Sequence, residues 1–207
     1  YEILPRQDYI DYDTEWADHH KWTPRNGTTT RHADDQCCAQ TYIDLYRLHT
    51  IPTATLQPTI ENIENMLKTD KVDDWWWIDA IQMAMPVFTK LYAETKDKRC
   101  LDRAWQMYEY TRNRLGGRGM FNPEDNLWWR DKDFLPPYKE PNGEDCYWAR
   151  GNGWVIAALA RVMQDVPKKD KHYKDYLNDF RLMAQSIKHT QREDGFWNVS
   201  LHDPNNY

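Results

Sequence analysis

The sequence predicts an all-α fold built from antiparallel helical hairpins set around an axis. Three observations carry this. Apolar residues recur at three- and four-residue steps through most of the chain; no alternating, strand-like run lasts beyond about four residues; and the segments between helical stretches are alternately short and long. With 207 residues the chain is long enough to bury a core, and nothing in it forces a second domain, so residues 1–207 are read as one domain.

From Gln36 to Leu48 the positions Cys37, Cys38, Tyr42, Leu45, Tyr46 and Leu48 fall on one stripe, with Asp34 or Asp35 placed to cap its start. Pro58 to Leu67 opens on a first-turn proline and aligns Ile60, Ile63 and Leu67. Asp73 or Asp74 is placed to cap a longer helix running to about Thr95, in which Pro86 predicts a kink or an early break. Leu101 to Leu115 has Leu101, Trp105, Tyr108 and Arg112 at helical spacing and stops at Gly116-Gly117. Trp154 to Met163 and Tyr173 to Gln191 make two more helices. The connection Arg118 to Gly153 is rich in proline and glycine, yet carries Trp128, Trp129, Phe134, Tyr138, Tyr147 and Trp148. That is too aromatic for a solvated linker and too irregular for a helix, and it reads as a loop that forms a site.

Composition narrows the function. Aromatic residues make up 14% of the chain, with eleven Trp and thirteen Tyr, an excess that core filling alone does not require and that rings stacking on sugars would explain. The net charge is -6, and its 27 basic and 33 acidic residues are well mixed, which leaves no basic stripe for nucleic acid. No apolar run reaches the roughly 18 to 20 residues of a membrane span; the longest candidate, Trp154 to Met163, is broken by Arg161. Cys37, Cys38, Cys100 and Cys146 lack CxxC spacing and read as reduced thiols in or near the core. The histidines at 19, 20, 32, 49, 172, 189 and 202 form no HExxH or HxH, so no metal site is expected, and no GxSxG, phosphate loop or dinucleotide fingerprint implies a cofactor. The segment Tyr1 to Asp8 has neither the charged nor the apolar region of a signal peptide and assigns no compartment. Oligomeric state is likewise left open.

Three clusters sit where loops enter helices: Arg31-His32-Ala33-Asp34-Asp35-Gln36, Asp73 to Ala80 with Trp75-Trp76-Trp77, and Tyr147 to Trp154. A carboxylate in the first turn of a helix and walled by indoles is pulled two ways: desolvation raises its pKa, and the helix N-terminus lowers it. Such a group can donate a proton near neutral pH. Asp79, preceded by three Trp and flanked by Ile78, Ala80 and Ile81, is the candidate; from pattern alone it serves equally as a buried polar residue bonded to a neighbouring loop. Asp34 and Asp35 are two acids where one cap suffices. Arg150, before Gly151-Asn152-Gly153, combines a guanidinium able to grip a carboxylate with a backbone free to approach a ligand, although an Arg there is often a surface ion-pair partner.

The ordered segments Ala33-Asp34-Asp35-Gln36, Gln40-Thr41-Tyr42-Ile43-Asp44-Leu45-Tyr46, Trp75-Trp76-Trp77-Ile78-Asp79-Ala80, Trp148-Ala149-Arg150-Gly151-Asn152-Gly153-Trp154, Asp194-Gly195-Phe196-Trp197 and Ser200-Leu201-His202-Asp203-Pro204 resemble the unsaturated rhamnogalacturonyl hydrolases of glycoside hydrolase family 105, relatives of the family 88 unsaturated glucuronyl hydrolases. The resemblance spans nearly the whole chain. It implies an (α/α)6 barrel of six helical hairpins, expected to be incomplete here because only six or seven helices are read from the sequence. It also implies a small oligosaccharide substrate, no cofactor or metal, and hydration of the C4=C5 double bond of a terminal unsaturated uronic acid on a pectin-derived, rhamnogalacturonan-like chain. Carried over by residue, Asp79 would be the general acid/base and Asp34 the second acid, with Asp35 the neighbouring alternative. Trp77, Met83, Trp148 and Trp154 would line the sugar pocket, and Arg150 would contact substrate oxygens. Arg130 stands where relatives carry a pocket histidine, and Lys68 falls near another such position. The competing readings are an inverting glycosidase on the same barrel, with two carboxylates roughly 6.5 to 9.5 Å apart around a water, and a carbohydrate-binding relative without activity.

Overall fold

The structure, a computed structural model, describes residues 6–48 and 51–203. His49, Pro204 and the first five residues lie outside them. Eight α-helices occur among the described residues: α1 (Gln7–His19), α2 (Ala33–Gln36), α3 (Cys38–Arg47), α4 (Gln57–Leu67), α5 (Asp79–Thr95), α6 (Lys98–Asn113), α7 (Ala149–Asp165) and α8 (Tyr173–His189). A short antiparallel ribbon joins β1 (Phe121–Asn122) to β2 (Leu127–Trp128), with Phe121 opposite Trp128. The fold is all-α, as the periodicity predicts. Helices α3, α5 and α7 form an inner row, and α1, α6 and α8 back them, with α4 packed beside α6. This is the paired-helix layout of an (α/α)6 barrel over part of its circumference.

Helix α1 is absent from the sequence prediction because its stripe is thin: of its thirteen residues only Ala17 is buried. Two caps are corrected. The cap of α2 is His32, whose Nδ1 accepts from the Asp34 amide at 3.3 Å, so Asp34 and Asp35 lie inside the first turn. Asp73 and Asp74 cap nothing, since α5 begins only at Asp79. The intervening Trp75, Trp76 and Trp77 run extended and alternate as buried, half-exposed and buried, which is the period of a strand and suits consecutive aromatic residues. Asp74 instead receives Arg31 through Nε at 3.0 Å and Nη2 at 2.6 Å, which ties the segment before α5 to the segment before α2. Pro86 does not break α5, which continues unbroken to Thr95.

The core is aromatic as well as aliphatic. Trp75, Trp128, Trp129, Tyr42, Tyr108 and Tyr147 are fully buried, so part of the Trp and Tyr excess fills the interior and is not free for sugar stacking. Of the four thiols, Cys100 and Cys146 are buried, Cys38 is half-buried, and Cys37 is exposed, not near the core as expected. At the far end of the inner row Arg47 of α3 reaches Glu94 of α5 and Asp165 of α7, each at 2.7 Å, and Lys90 bonds Asp44. Between α6 and α8 the buried Asp179 accepts from Tyr108 Oη at 2.8 Å and from Arg112 Nε at 2.8 Å and Nη2 at 2.9 Å. Removing one partner of such a pair strands the other. Asp179→Ala is therefore expected to cost about 3 kcal/mol of unfolding free energy in a denaturant titration, and a cost within about 1 kcal/mol would mean the pair behaves as a surface one.

Candidate functional site

The N-termini of α2, α5 and α7 open at one end of the inner row, and each carries one of the candidate groups. Asp79 is the first residue of α5, and its neighbourhood is fixed from three sides. The Ile78 amide donates to the Arg130 carbonyl at 2.9 Å, Trp77 bridges to Asp131, and Thr111 Oγ1 donates to the Trp75 carbonyl at 2.8 Å. The side chain is only 8% exposed, and its Oδ2 has no hydrogen-bond partner. Burial pushes the Asp79 carboxyl above its ordinary pKa. Its own backbone amide and the Arg130 and Arg150 guanidinia oppose that shift, and Asp34 adds to it. The two acids and the two arginines chosen from sequence thus lie within electrostatic reach of one another.

Aromatic contacts link the same groups. The Trp77 ring sits 5.0 Å from that of His32, which caps the helix bearing Asp34, and 4.4 Å from that of Trp76. Trp148, half-buried, takes Arg150 over its ring at 4.3 Å and Arg130 at 5.7 Å. It is held in place by an isolated bridge to Ser200 and by the Ala149 amide donating to the Val199 carbonyl at 2.8 Å. Arg130 also pairs with the buried Asp131 at 3.0 Å. Trp154 is exposed on α7, and Met83 is half-buried one turn beyond Asp79 on α5.

Asp34 and Asp35 diverge. Asp34 is exposed, whereas Asp35 is 5% exposed and its Oδ2 accepts from Asn26 Nδ2 at 3.1 Å and Thr30 Oγ1 at 2.6 Å. That carboxylate is taken up in holding the loop before α2. Both acids border a cleft of about 520 Å³ between α1 and α3, walled by Trp16, His20 and Tyr42. Lys68 ends α4, where its Nζ donates to Asn65 Oδ1 at 2.8 Å.

Gly151-Asn152-Gly153 lies in the first turns of α7, which starts at Ala149 and not at the expected Trp154. A Cβ on Gly151 would lie 2.8 Å from both Ile78 Cδ1 and Trp148 Cε3, so the glycine permits α7 to approach the start of α5, not a ligand. Asn152, fully buried, accepts from the Trp128 amide at 2.8 Å and donates to the Trp128 carbonyl at 3.0 Å, pairing with the edge of β2 as a strand would. Sequence reasoning missed His32 and Asn152. Asn152 had a signal, a polar amide among residues of an aromatic motif, but its partner is remote in sequence. Among the described residues no three His, Cys, Asp or Glu gather as a metal site would need, and no helix is long and apolar enough to cross a membrane.

Comparison with known proteins matches this chain, over residues 1–207, to the family described as Glycosyl Hydrolase Family 88. An unsaturated 3S-rhamnoglycuronyl hydrolase of Formosa agariphila is 33% identical over 195 residues, which cover 85% of this chain and 50% of that protein. A solved glycosyl hydrolase family 88 protein from Bacteroides vulgatus is 34% identical with a TM-score of 0.90, covering 98% of this chain and 61% of that one. A solved chain described as a polysaccharide lyase is 33% identical with a TM-score of 0.90, covering 98% and 60%. The chain spans about half the length of the curated relatives it matches. The resemblance read from the WWWIDA and WARGNGW segments is thereby upheld: the chain belongs to glycosyl hydrolase family 88.

Proposed function

We propose that this chain carries the catalytic carboxylates of a hydrolase that removes a terminal C4=C5 unsaturated uronic acid from a short oligosaccharide by hydrating its double bond. One observation carries the reading. Asp79 is buried at the start of α5 with one carboxyl oxygen unpartnered and its proton affinity raised by burial, within electrostatic reach of two guanidinia. A carboxyl whose proton affinity is raised by burial is better suited than an ordinary one to protonating an electron-rich alkene carbon.

The steps follow from the substrate's bonding. Asp79 gives its proton to C4, and the ring oxygen stabilises the cation that develops at C5. Water adds at C5 and returns a proton to the Asp79 carboxylate. The resulting hemiketal opens to a ketone at C5, which leaves C1 a hemiacetal, and that hemiacetal collapses to an aldehyde as it expels the rest of the chain as an alcohol. Arg150, and Arg130 beside it, suit the uronate carboxyl, which guanidinia hold by parallel bonds. Trp148, Trp77 and Trp154 offer ring faces to the sugar, Met83 adds an apolar wall, and Asp34 orients water or a ring hydroxyl. The Formosa agariphila relative's name supports a rhamnose-type sugar beyond the uronate. A pectin-derived, rhamnogalacturonan-like substrate is the form proposed from the sequence.

A second reading is elimination, favoured by the likeness to a chain described as a polysaccharide lyase. Elimination needs a charged base that takes the proton at C5, and burial at Asp79 disfavours the charged form of its carboxyl. The test offers the full chain a panel of unsaturated disaccharides ending in rhamnose, sulfated rhamnose, galactose or an amino sugar, and follows the ultraviolet absorbance of the conjugated double bond. Hydration erases that absorbance on at least one of them. A rise in absorbance on a saturated polysaccharide would establish elimination instead, and release of saturated sugars with no change in absorbance would establish an ordinary glycosidase.

A further inference from the structure

Pro86 lies in the middle of α5 and has no amide to offer the Gln82 carbonyl one turn before it. That carbonyl is not left empty. Gln40 of α3, 7% exposed, donates its Nε2 to the Gln82 carbonyl at 2.8 Å and to the Met83 carbonyl at 2.9 Å. Its Oε1 accepts from Arg161 Nη1 of α7 at 2.9 Å. The orientation of the amide is forced, because carbonyls can only accept and a guanidinium can only donate. One side chain therefore joins the three inner helices at the height where α5 lacks a hydrogen bond of its own. The turn before that gap begins at Asp79, and α7 carries Arg150 in its first turn.

We propose that Gln40 is a positioning residue for the reaction: by occupying the Gln82 carbonyl that Pro86 leaves open, together with the Met83 carbonyl beside it, it sets the first turns of α5, and with them Asp79, against α7 and its Arg150. The inference rests on reading Asp79 as the proton donor. Helix segments on either side of a proline are joined by fewer internal bonds than an unbroken helix, so without a donor from α3 the upper turns of α5 can shift relative to the lower ones. A misplacement on the order of 1 Å at a reacting group costs about a hundredfold in rate. Gln40 touches no substrate in this scheme, since it acts through main-chain carbonyls beneath the site.

The test compares the full chain with Gln40→Glu, which keeps an acceptor for Arg161 and loses the donor, and with Gln40→Met, which keeps the volume and loses both. Each is made alone and together with Pro86→Ala, which restores an amide to the Gln82 carbonyl. Three readouts are taken: kcat and KM on an unsaturated disaccharide, the titration of the Asp79 carboxyl by NMR, and the melting temperature. Gln40→Glu is expected to lower kcat about tenfold to a hundredfold with KM little changed, to move the Asp79 titration, and to do less of both in the Pro86→Ala background. Losses identical with and without Pro86, or a fall in melting temperature with kcat and the Asp79 titration unmoved, would overturn the proposal. If the parent chain has no activity on unsaturated uronides, the functional reading fails by itself. The Asp79 titration and its coupling to residues 40 and 86 then still decide the role of Gln40.

Discussion

Replacing Asp79 by Asn is expected to lower kcat about a hundredfold to ten-thousandfold on an unsaturated disaccharide, the range in which a positioned proton donor contributes, with helicity unchanged. The same variant has a signature in stability. Burial raises the folded-state pKa of Asp79, opposed by its backbone amide and the two arginines, so the folded chain holds this proton more tightly than the unfolded chain does. The stabilisation linked to that proton is full below the unfolded value of about 3.9 and is lost as pH rises through the raised folded value. Asn does not ionise and loses nothing over that window. Melting curves at successive pH values should therefore show Asp79→Asn gaining on the parent from acid to neutral pH, an inactive protein that is the more stable of the two. A variant that falls further behind the parent as pH rises would mean the carboxylate is stabilised in the folded state and is no proton donor at rest. A carbohydrate-binding protein without activity would retain its affinity for the sugar after this substitution and show no loss of turnover.

What was legible in the sequence was local. The helical stripes of α3, α4, α6 and α8 are each written in consecutive residues, and the core and the paired-helix layout follow from them. Asp79 was legible for the same reason, since the tryptophan run and Ile78 that mark it as a buried carboxyl stand just before it in the sequence. What was illegible is long-range. Nothing near Asp74 announces Arg31 as its partner, so the rule that Asp precedes a helix assigned it a cap it does not form, while Trp75 to Trp77 follow the period of a strand. Asp35 likewise looks like a site acid until the loop bearing Asn26 and Thr30 folds onto it. Pro86 predicts a kink or an early break because a proline removes a bond; the donor that takes up the freed carbonyl lies on another helix. The mirror case is Gly151-Asn152-Gly153, whose composition signals a turn but whose place is the start of a helix, where one glycine allows close packing and the asparagine imitates a strand edge.

Gly151→Ala carries that last point to the chemistry. In a helix interior the exchange ordinarily stabilises, since alanine restricts the unfolded chain and favours the helix. Here the new methyl would enter space occupied by Ile78 Cδ1 and Trp148 Cε3, both at 2.8 Å, with Ile78 Cγ1 at 3.2 Å. Ile78 immediately precedes Asp79, and Trp148 underlies Arg150. The overlap therefore pushes apart the two helix starts that hold the proposed donor and the proposed carboxylate clamp. The expected result is a loss of about 1 to 3 kcal/mol in stability, the scale of overpacking, together with a fall in kcat/KM of about a hundredfold from misplacement. Ile78 is the compliant side of the contact. Ile78→Val removes the Cδ1 atom, and the double variant should recover part of both losses, while the broad face of Trp148 keeps the remainder. Recovery of stability without recovery of kcat/KM would show that Trp148, not Ile78, transmits the displacement to the site. An alanine at 151 that stabilises the chain and leaves turnover intact would mean that α7 and α5 have room to part without disturbing Asp79.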